Sequence, residues 1–356
     1  MSALFAAAAV VCSQPWPQLN RYVESFVSQD GRVIERSAGD RTTSEGQAYA
    51  LFFALAGGQR DVFARVLGWT EKNLARGDLS ASLPSWNWGK RRDGSWGVVD
   101  ENSASDADLW IAYALLEAGR LWGEERYTTL ARRVLANVAR REVVRIRGLG
   151  PMLLPGPKGF ATRGGFRLNP SYEPPQLLRR FAAEDPQGPW GAILESTIRM
   201  LRETAPRGAV ADWVFFGPAG GFASDPVKGR VGSYDAIRTY LWLGMLPESD
   251  GALRSLAPAL LRAFERSGVI PERIDVESLH ATGRAPVGFA AALLPLARAQ
   301  RDARTSDALA AAVASAPPDT YYDHNLVLFG DGFVEGRFRF GADGRLVAAW
   351  ESPCAR

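Results

Sequence analysis

The chain has 356 residues, 46% of them hydrophobic, and an even charge balance of 42 Lys and Arg against 39 Asp and Glu for a net +3. This composition supplies a sizeable core and excludes a disordered chain, and without a Lys/Arg block it lacks the electrostatic footprint of a nucleic-acid binder. Two cysteines (Cys12, Cys354) and two histidines (His280, His324) exclude a thiolate or multi-histidine metal centre, so any catalysis falls to carboxylates, Tyr, Arg or Ser, with neither metal nor cofactor implied.

In chain order, residues 1–11 form an apolar run ending Ala-Ala-Val-Val. It is too short to span a bilayer and long enough for the apolar core of a signal peptide, although the basic lead-in is missing and the first arginine is Arg21. We read it as the remnant of an export signal, implying a periplasmic or secreted protein with no transmembrane segment. In an oxidising compartment a Cys12–Cys354 bridge would add roughly 4 to 5 kcal/mol in the chain-entropy model, an upper figure. Two unpaired thiols fit equally well.

Residues 12–356 read as one domain. Segments near 47–57, 107–122, 236–247 and 286–297 are apolar nearly all round, whereas those near 60–76, 124–142, 190–204 and 252–266 carry one apolar stripe among Arg and Glu. The first kind predicts buried helices and the second helices that face water. Because the two kinds tend to alternate, the expected all-α architecture is a closed double ring of about a dozen helices, buried ones inside. Long loops at 77–105, 144–173 and 207–233, rich in Gly, Pro and Trp, are expected to build one face. Near the C-terminus, Gly336-Arg-Phe-Arg-Phe-Gly-Ala-Asp-Gly-Arg-Leu-Val alternates around an Asp-Gly and predicts a short hairpin.

Three of the buried helices open alike, on Thr42-Thr-Ser-Glu45, Ser103-Ala-Ser-Asp106 and Gly232-Ser-Tyr-Asp235. Taken singly, each is a cap. Thr42 to Glu45 has the form of a capping box, Ser105 suits the first turn of its helix, and Asp106, Asp108 and Asp235 complement helix dipoles. If the inner helices point the same way, however, Glu45, Asp106 and Asp235 meet at one end beside Trp-rich loops. Glycosidic bonds are cleaved by such sets: one carboxylic acid protonates the leaving oxygen and a second carboxylate activates water or attacks. A helix N-terminus lowers a carboxyl pKa, so a general acid there needs a neighbouring carboxylate in a partly dry cleft, which Asp106 would give Glu45.

The stretch Ala104-Ser-Asp-Ala-Asp-Leu-Trp-Ile-Ala-Tyr-Ala-Leu-Leu-Glu-Ala-Gly-Arg-Leu-Trp122 resembles the signature of glycoside hydrolase family 8, and Thr43-Ser-Glu-Gly-Gln-Ala-Tyr49 resembles its general-acid segment. The similarity continues through Leu83-Pro-Ser-Trp-Asn-Trp-Gly-Lys90, Gly148 to Pro155, Asn169-Pro-Ser-Tyr172, Ser233 to Arg238 and Pro286 to Phe289, so it covers nearly the whole chain. Within the family the chain is most similar to the periplasmic endoglucanases that accompany bacterial cellulose synthase. The resemblance implies an (α/α)6 barrel, inversion at the anomeric carbon, endo-cleavage of β-1,4-glucan such as cellulose, and a functional association with the cellulose synthase complex. It also implies Glu45 as proton donor, Asp235 as base for the attacking water, and Asp106 as the residue that binds and distorts the sugar rather than a nucleophile. Tyr172 and Arg238 match family residues at that position, Arg238 one turn beyond Asp235 on the same helix face; the structural alternatives are a core tyrosine and a surface ion pair.

Trp88 and Trp96 are candidates for sugar stacking, with Trp86 and Trp213 behind them; each equally fits a hydrophobic core. Asp108 is expected to point away from Asp106 and support the helix start. A glycan-binding protein without catalysis would need the aromatics but not the acids. A hydrolase of chitosan, xylan or mixed-linkage glucan would use the same carboxylates. A terpene cyclase would need an Asp-Asp-x-x-Asp motif, which the chain lacks.

Overall fold

A computed structural model describes residues 15–318 and 320–351; the apolar N-terminal run, Cys12 and Cys354 lie outside the described residues. In chain order the helices are α1 (Pro17–Phe26), α2 (Ser44–Ala56), α3 (Arg60–Asn73), α4 (Ser105–Trp122), α5 (Glu125–Arg141), α6 (Pro175–Glu184), α7 (Trp190–Thr204), α8 (Ala236–Gly244), α9 (Gly251–Arg254), α10 (Ala259–Ser267), α11 (Val287–Ala299), α12 (Ala303–Ser315) and α13 (Tyr321–Val334). None is long and apolar enough to cross a membrane.

The two kinds of pattern sort as their chemistry demands. In α4 every side chain from Ser105 to Ala118 is buried, whereas α5 buries only Tyr127, Ala131, Val134, Leu135, Asn137 and Val138, a single stripe. Five helix contacts follow in turn, α2 on α4, α4 on α6, α6 on α8, α8 on α11 and α11 on α13, with α6 the amphipathic member among apolar helices. Phe329 of α13 then meets Tyr49, Phe52 and Phe53 of α2 with ring centroids 5.0, 5.3 and 4.6 Å apart. On the outside, α3, α5, α7 and α12 lie against α2, α4, α6 and α11, α10 touches α11 and α12, and α1 rests on α13.

Glycine sets the closeness of one of these contacts. A Cβ at Gly330 would stand 1.9 Å from the carbonyl oxygen of Ala291. That is the carbonyl which Pro295, inside α11, has no N–H to serve, so α13 nests where α11 lacks a hydrogen bond.

Two expectations need correction. The helix expected over 252–266 is two, α9 and α10, because Pro258 cannot continue a helix and turns its predecessor away from helical geometry. The long loops are not irregular but carry short antiparallel sheets. Residues 87–90 and 96–100 form a hairpin that pairs with Thr42–Thr43 at the start of α2. Strands Ala161–Thr162, Gly165–Leu168, Val214–Phe216 and Phe222–Ser224 unite two of the loops in one four-stranded sheet. The C-terminal hairpin pairs Phe338 with Ala348 and Phe340 with Leu346. It packs Phe338 and Phe340 on Phe52 and accepts the Tyr113 hydroxyl at the Gly344 carbonyl, 2.8 Å.

Candidate active site

The site is built from the first turns of α2, α4 and α8. At α2 the cap is Thr43, whose hydroxyl accepts from the Gly46 N–H at 3.1 Å. Thr42 instead donates to the Val33 carbonyl, 2.6 Å, so no Thr42–Glu45 capping box forms and the Glu45 side chain is free to turn away from the helix start. At α4, Ser105 does not cap the helix: its hydroxyl has no hydrogen-bond partner, and Asp106 Oδ1 accepts from the neighbouring Ala107 N–H at 2.8 Å. At α8, Asp235 occupies the capping position yet makes no capping bond.

All three carboxylates turn instead to one guanidinium. Arg238 Nη1 donates to Glu45 Oε2 and, at 3.0 Å, to Asp106 Oδ2, while Nη2 donates to Asp235 Oδ1 at 2.9 Å. The predicted proximity of Arg238 and Asp235 is thus met. Arg238 also reaches the Tyr49 hydroxyl at 3.3 Å and stands over the Tyr172 ring, 5.5 Å from its centroid. Tyr172 is placed by the turn Pro170–Tyr172, where Asn169 Oδ1 accepts from the Ser171 N–H at 3.0 Å.

Three acids around one cation are short of positive charge, and burial makes the shortage felt. Glu45 is pushed up to about 7 by burial, against the pull of Arg238 and with the help of Asp106 and Asp235. Burial likewise raises Asp106. The side chains of Arg238 and Asp106 are each 4% exposed, whereas those of Glu45 and Asp235 are 23% and 33% exposed, so solvent reaches the latter two.

Asp108 does point elsewhere, as expected. It is fully buried, and its neighbour is Glu142 at the end of α5. Burial holds Asp108 well above the usual carboxylate range, with the charge of Glu142 adding to it, and pushes Glu142 up to about 7. Ser103 donates to Glu142 Oε1 at 2.5 Å, tying the loop before α4 to this pair.

Trp88 and Trp96 stand together on the hairpin that pairs with the strand leading into α2, stacked with centroids 5.5 Å apart. The Arg32 guanidinium lies 4.3 Å from one ring centroid and 5.1 Å from the other, and Trp69 of α3 meets Trp88 edge-on. Trp96 is 45% exposed. Trp213, by contrast, joins the site, its indole Nε1 donating to Asp235 Oδ2 at 3.0 Å.

Several residues of the site were not singled out in the sequence. Tyr49 is one turn beyond Glu45, a spacing that would have found it. Tyr322 donates to the Tyr234 carbonyl; burial holds its hydroxyl well above the ordinary value, and the charges of Arg238, Glu45 and Asp235 all act on it. Asp212 carries no local signal.

Comparison with known proteins agrees with this geometry. The model of the glycosyl hydrolases family 8 matches residues 1–336. The chain is 44% identical to an endoglucanase of Escherichia coli O157:H7 over 99% of its length and 96% of the relative's, and 45% identical to one of Xanthomonas axonopodis pv. citri (strain 306) over 100% and 96%. The crystal structure of an endo-1,4-D-glucanase from Vibrio fischeri ES114 superposes with a TM-score of 0.90 at 41% identity, covering 95% of this chain and all of that one. A mostly helical fold with small antiparallel sheets, three acids on one arginine and this full-length similarity place the chain in glycosyl hydrolase family 8.

Proposed function

We propose that the protein is an endo-acting β-1,4-glucanase that cleaves with inversion, Glu45 protonating the leaving oxygen and Asp235 activating water. The observation that carries this reading is the convergence of Glu45, Asp106 and Asp235 on Arg238. A donor must hold its proton near neutral pH, and Glu45 at about 7 does so. A base must be reachable by water, and Asp235 is the most open of the three carboxylates. Asp106, sealed against Arg238, is suited to hold a sugar hydroxyl rather than to attack. The relatives named endoglucanase support the choice of β-1,4-glucan.

The same reading takes Tyr172 and Arg238 as contacts of the sugar at the scissile bond, and Trp88 and Trp96 as stacking surfaces nearer the entrance, supported by the exposure of Trp96. The chain of contacts from α2 to α13 and back supports closure into an (α/α)6 barrel. Export to the periplasm, where the enzyme would act on glucan made by a cellulose synthase, is supported by the apolar run at residues 1–11 and by the resemblance in sequence.

The test is hydrolysis of a soluble cellulose derivative without added metal. Glu45→Gln should lower kcat by about 10³-fold while leaving the circular dichroism spectrum unchanged. Full activity in that variant rejects the assignment. NMR of fresh cello-oligosaccharide products should show the inverted anomer, and a panel with chitosan, xylan and mixed-linkage glucan should favour cellulose.

A further inference from the structure

We propose that Asp212 and Trp213 form a clamp that positions Asp235 for catalysis, Asp212 holding the backbone on either side of Asp235 and Trp213 holding its carboxylate. The inference rests on the reading of Asp235 as the base.

Asp235 already has helical backbone angles, φ −76° and ψ −50°, rather than the extended ones of a capping residue, and its carboxylate makes no capping bond. The Ile237 and Arg238 N–H groups bond to the Ser233 and Asp235 carbonyls at 3.0 and 3.1 Å, and the turn that carries Asp235 is held from another part of the chain. Asp212 Oδ1 accepts from the Ser233 N–H at 2.7 Å and from the Ala236 N–H at 2.8 Å, one on each side of Asp235. The backbone of Asp235 is thereby held without its side chain. The next residue, Trp213, holds the side chain itself through its indole N–H on Oδ2.

With Arg238 on Oδ1 and Trp213 on Oδ2, each oxygen keeps one lone pair, enough to accept a proton from a water.

The clamp is fixed to the strand pairing around it. The Asp212 N–H donates to the Val231 carbonyl at 2.8 Å, and the Val210 N–H donates to the Tyr240 hydroxyl at 3.0 Å. A Cβ at Gly232 would lie 2.0 Å from the Val210 carbonyl oxygen, so the two segments approach as closely as glycine allows. The Trp213 ring is stacked on Phe160, with centroids 5.7 Å apart and planes at 9°, and the Arg167 guanidinium lies 4.8 Å from its centroid. Arg167 is itself held by Asp225 through two bonds of 2.7 and 3.1 Å. Asp212 also senses the acid it holds, since burial and then the charge of Asp235 push it up to about 6.

The experiment compares Asp212→Ala, Asp212→Asn, Trp213→Phe and Asp235→Asn on a soluble cello-oligosaccharide, with melting temperature measured beside kcat and KM. Misplacement of a reacting group by about 1 Å costs on the order of 100-fold, so D212A and W213F should each lose about 30-fold or more in kcat with KM changed by less than about threefold. D212N keeps an oxygen for both N–H groups and should recover most of the loss, to within about fivefold of the parent. Parental kcat in D212A and W213F, a loss confined to KM, or a D212N as impaired as D212A would overturn the clamp. If D212A does not fold, W213F alone decides. Full activity in D235N would instead overturn the reading of Asp235, independently of the clamp.

Discussion

Helix α4 carries a buried charge cluster near each end, and the two differ in kind. Near its C-terminal end Glu117, with no exposed surface, is over-provided with donors: Arg180 Nε on Oε1 at 2.6 Å, and Arg120 Nη2 at 2.7 Å and the Leu346 N–H at 2.9 Å on Oε2. At its N-terminal end three carboxylates share the single guanidinium of Arg238. A carboxylate saturated with donors is a structural tie, here fastening the C-terminal hairpin to α4. Carboxylates short of donors keep protons and lone pairs available for a substrate, which is why one end of the fold is inert and the other reactive.

The largest effect that would sharpen this contrast is Glu117→Ala. It leaves the buried Arg180 with Glu184 alone, takes the nearer acid from Arg120 and strands the Leu346 N–H, and should cost about 3 kcal/mol in denaturant unfolding while kcat of the folded enzyme stays near parental. A kcat collapse without loss of stability would break the contrast. Next is the pH profile. As the proposed donor, Glu45 must be protonated to act, so kcat/KM should fall as pH rises through about 7. An alkaline limb below about 5, in the ordinary carboxylate range, would mean that Arg238 outweighs burial at Glu45.

The smallest effect concerns another buried acid, Glu173, which follows Tyr172 in the chain. Burial pushes Glu173 up to about 8, and the single hydroxyl proton of Thr197 stands between Glu173 Oε2 and the Ile193 carbonyl, so a protonated Glu173 satisfies both. The folded protein therefore binds this proton more tightly than the unfolded chain, whose value is near 4.5. The stabilisation is complete below that value and is lost as pH rises through about 8. Glu173→Gln, neutral at every pH, should match the parent at pH 5 and melt about 2–4 °C higher at pH 9. Identical melting curves at both pH values would show that Glu173 is already ionised.

Much of the scaffold was legible because helix burial is written in periodicity. The stripe of α5 and the unbroken apolar run of α4 each named their layer, and Ser105–Trp122 fell within two residues of the expected span. The strands hidden in the loops were not legible, since elements of two to five residues rich in Gly and aromatics are too short to show alternation. The break at Pro258 had its signal in plain view, outweighed by the amphipathic pattern around it. Asp212 had none: its partners are N–H groups 21 and 24 residues further on.

By itself the sequence determined the layers, the three acid-bearing helix starts and the family, all of which depend on residues near one another in the chain. It could not say whether each acid was a cap. Only the tertiary structure decided that, by supplying Thr43 to cap α2 and Asp212 to hold the turn at the start of α8, and by drawing Glu45, Asp106 and Asp235 onto Arg238. The reason is physical. A helix N–H takes whichever acceptor packing brings to it, and a carboxylate released from that duty in a dry site turns to the nearest cation.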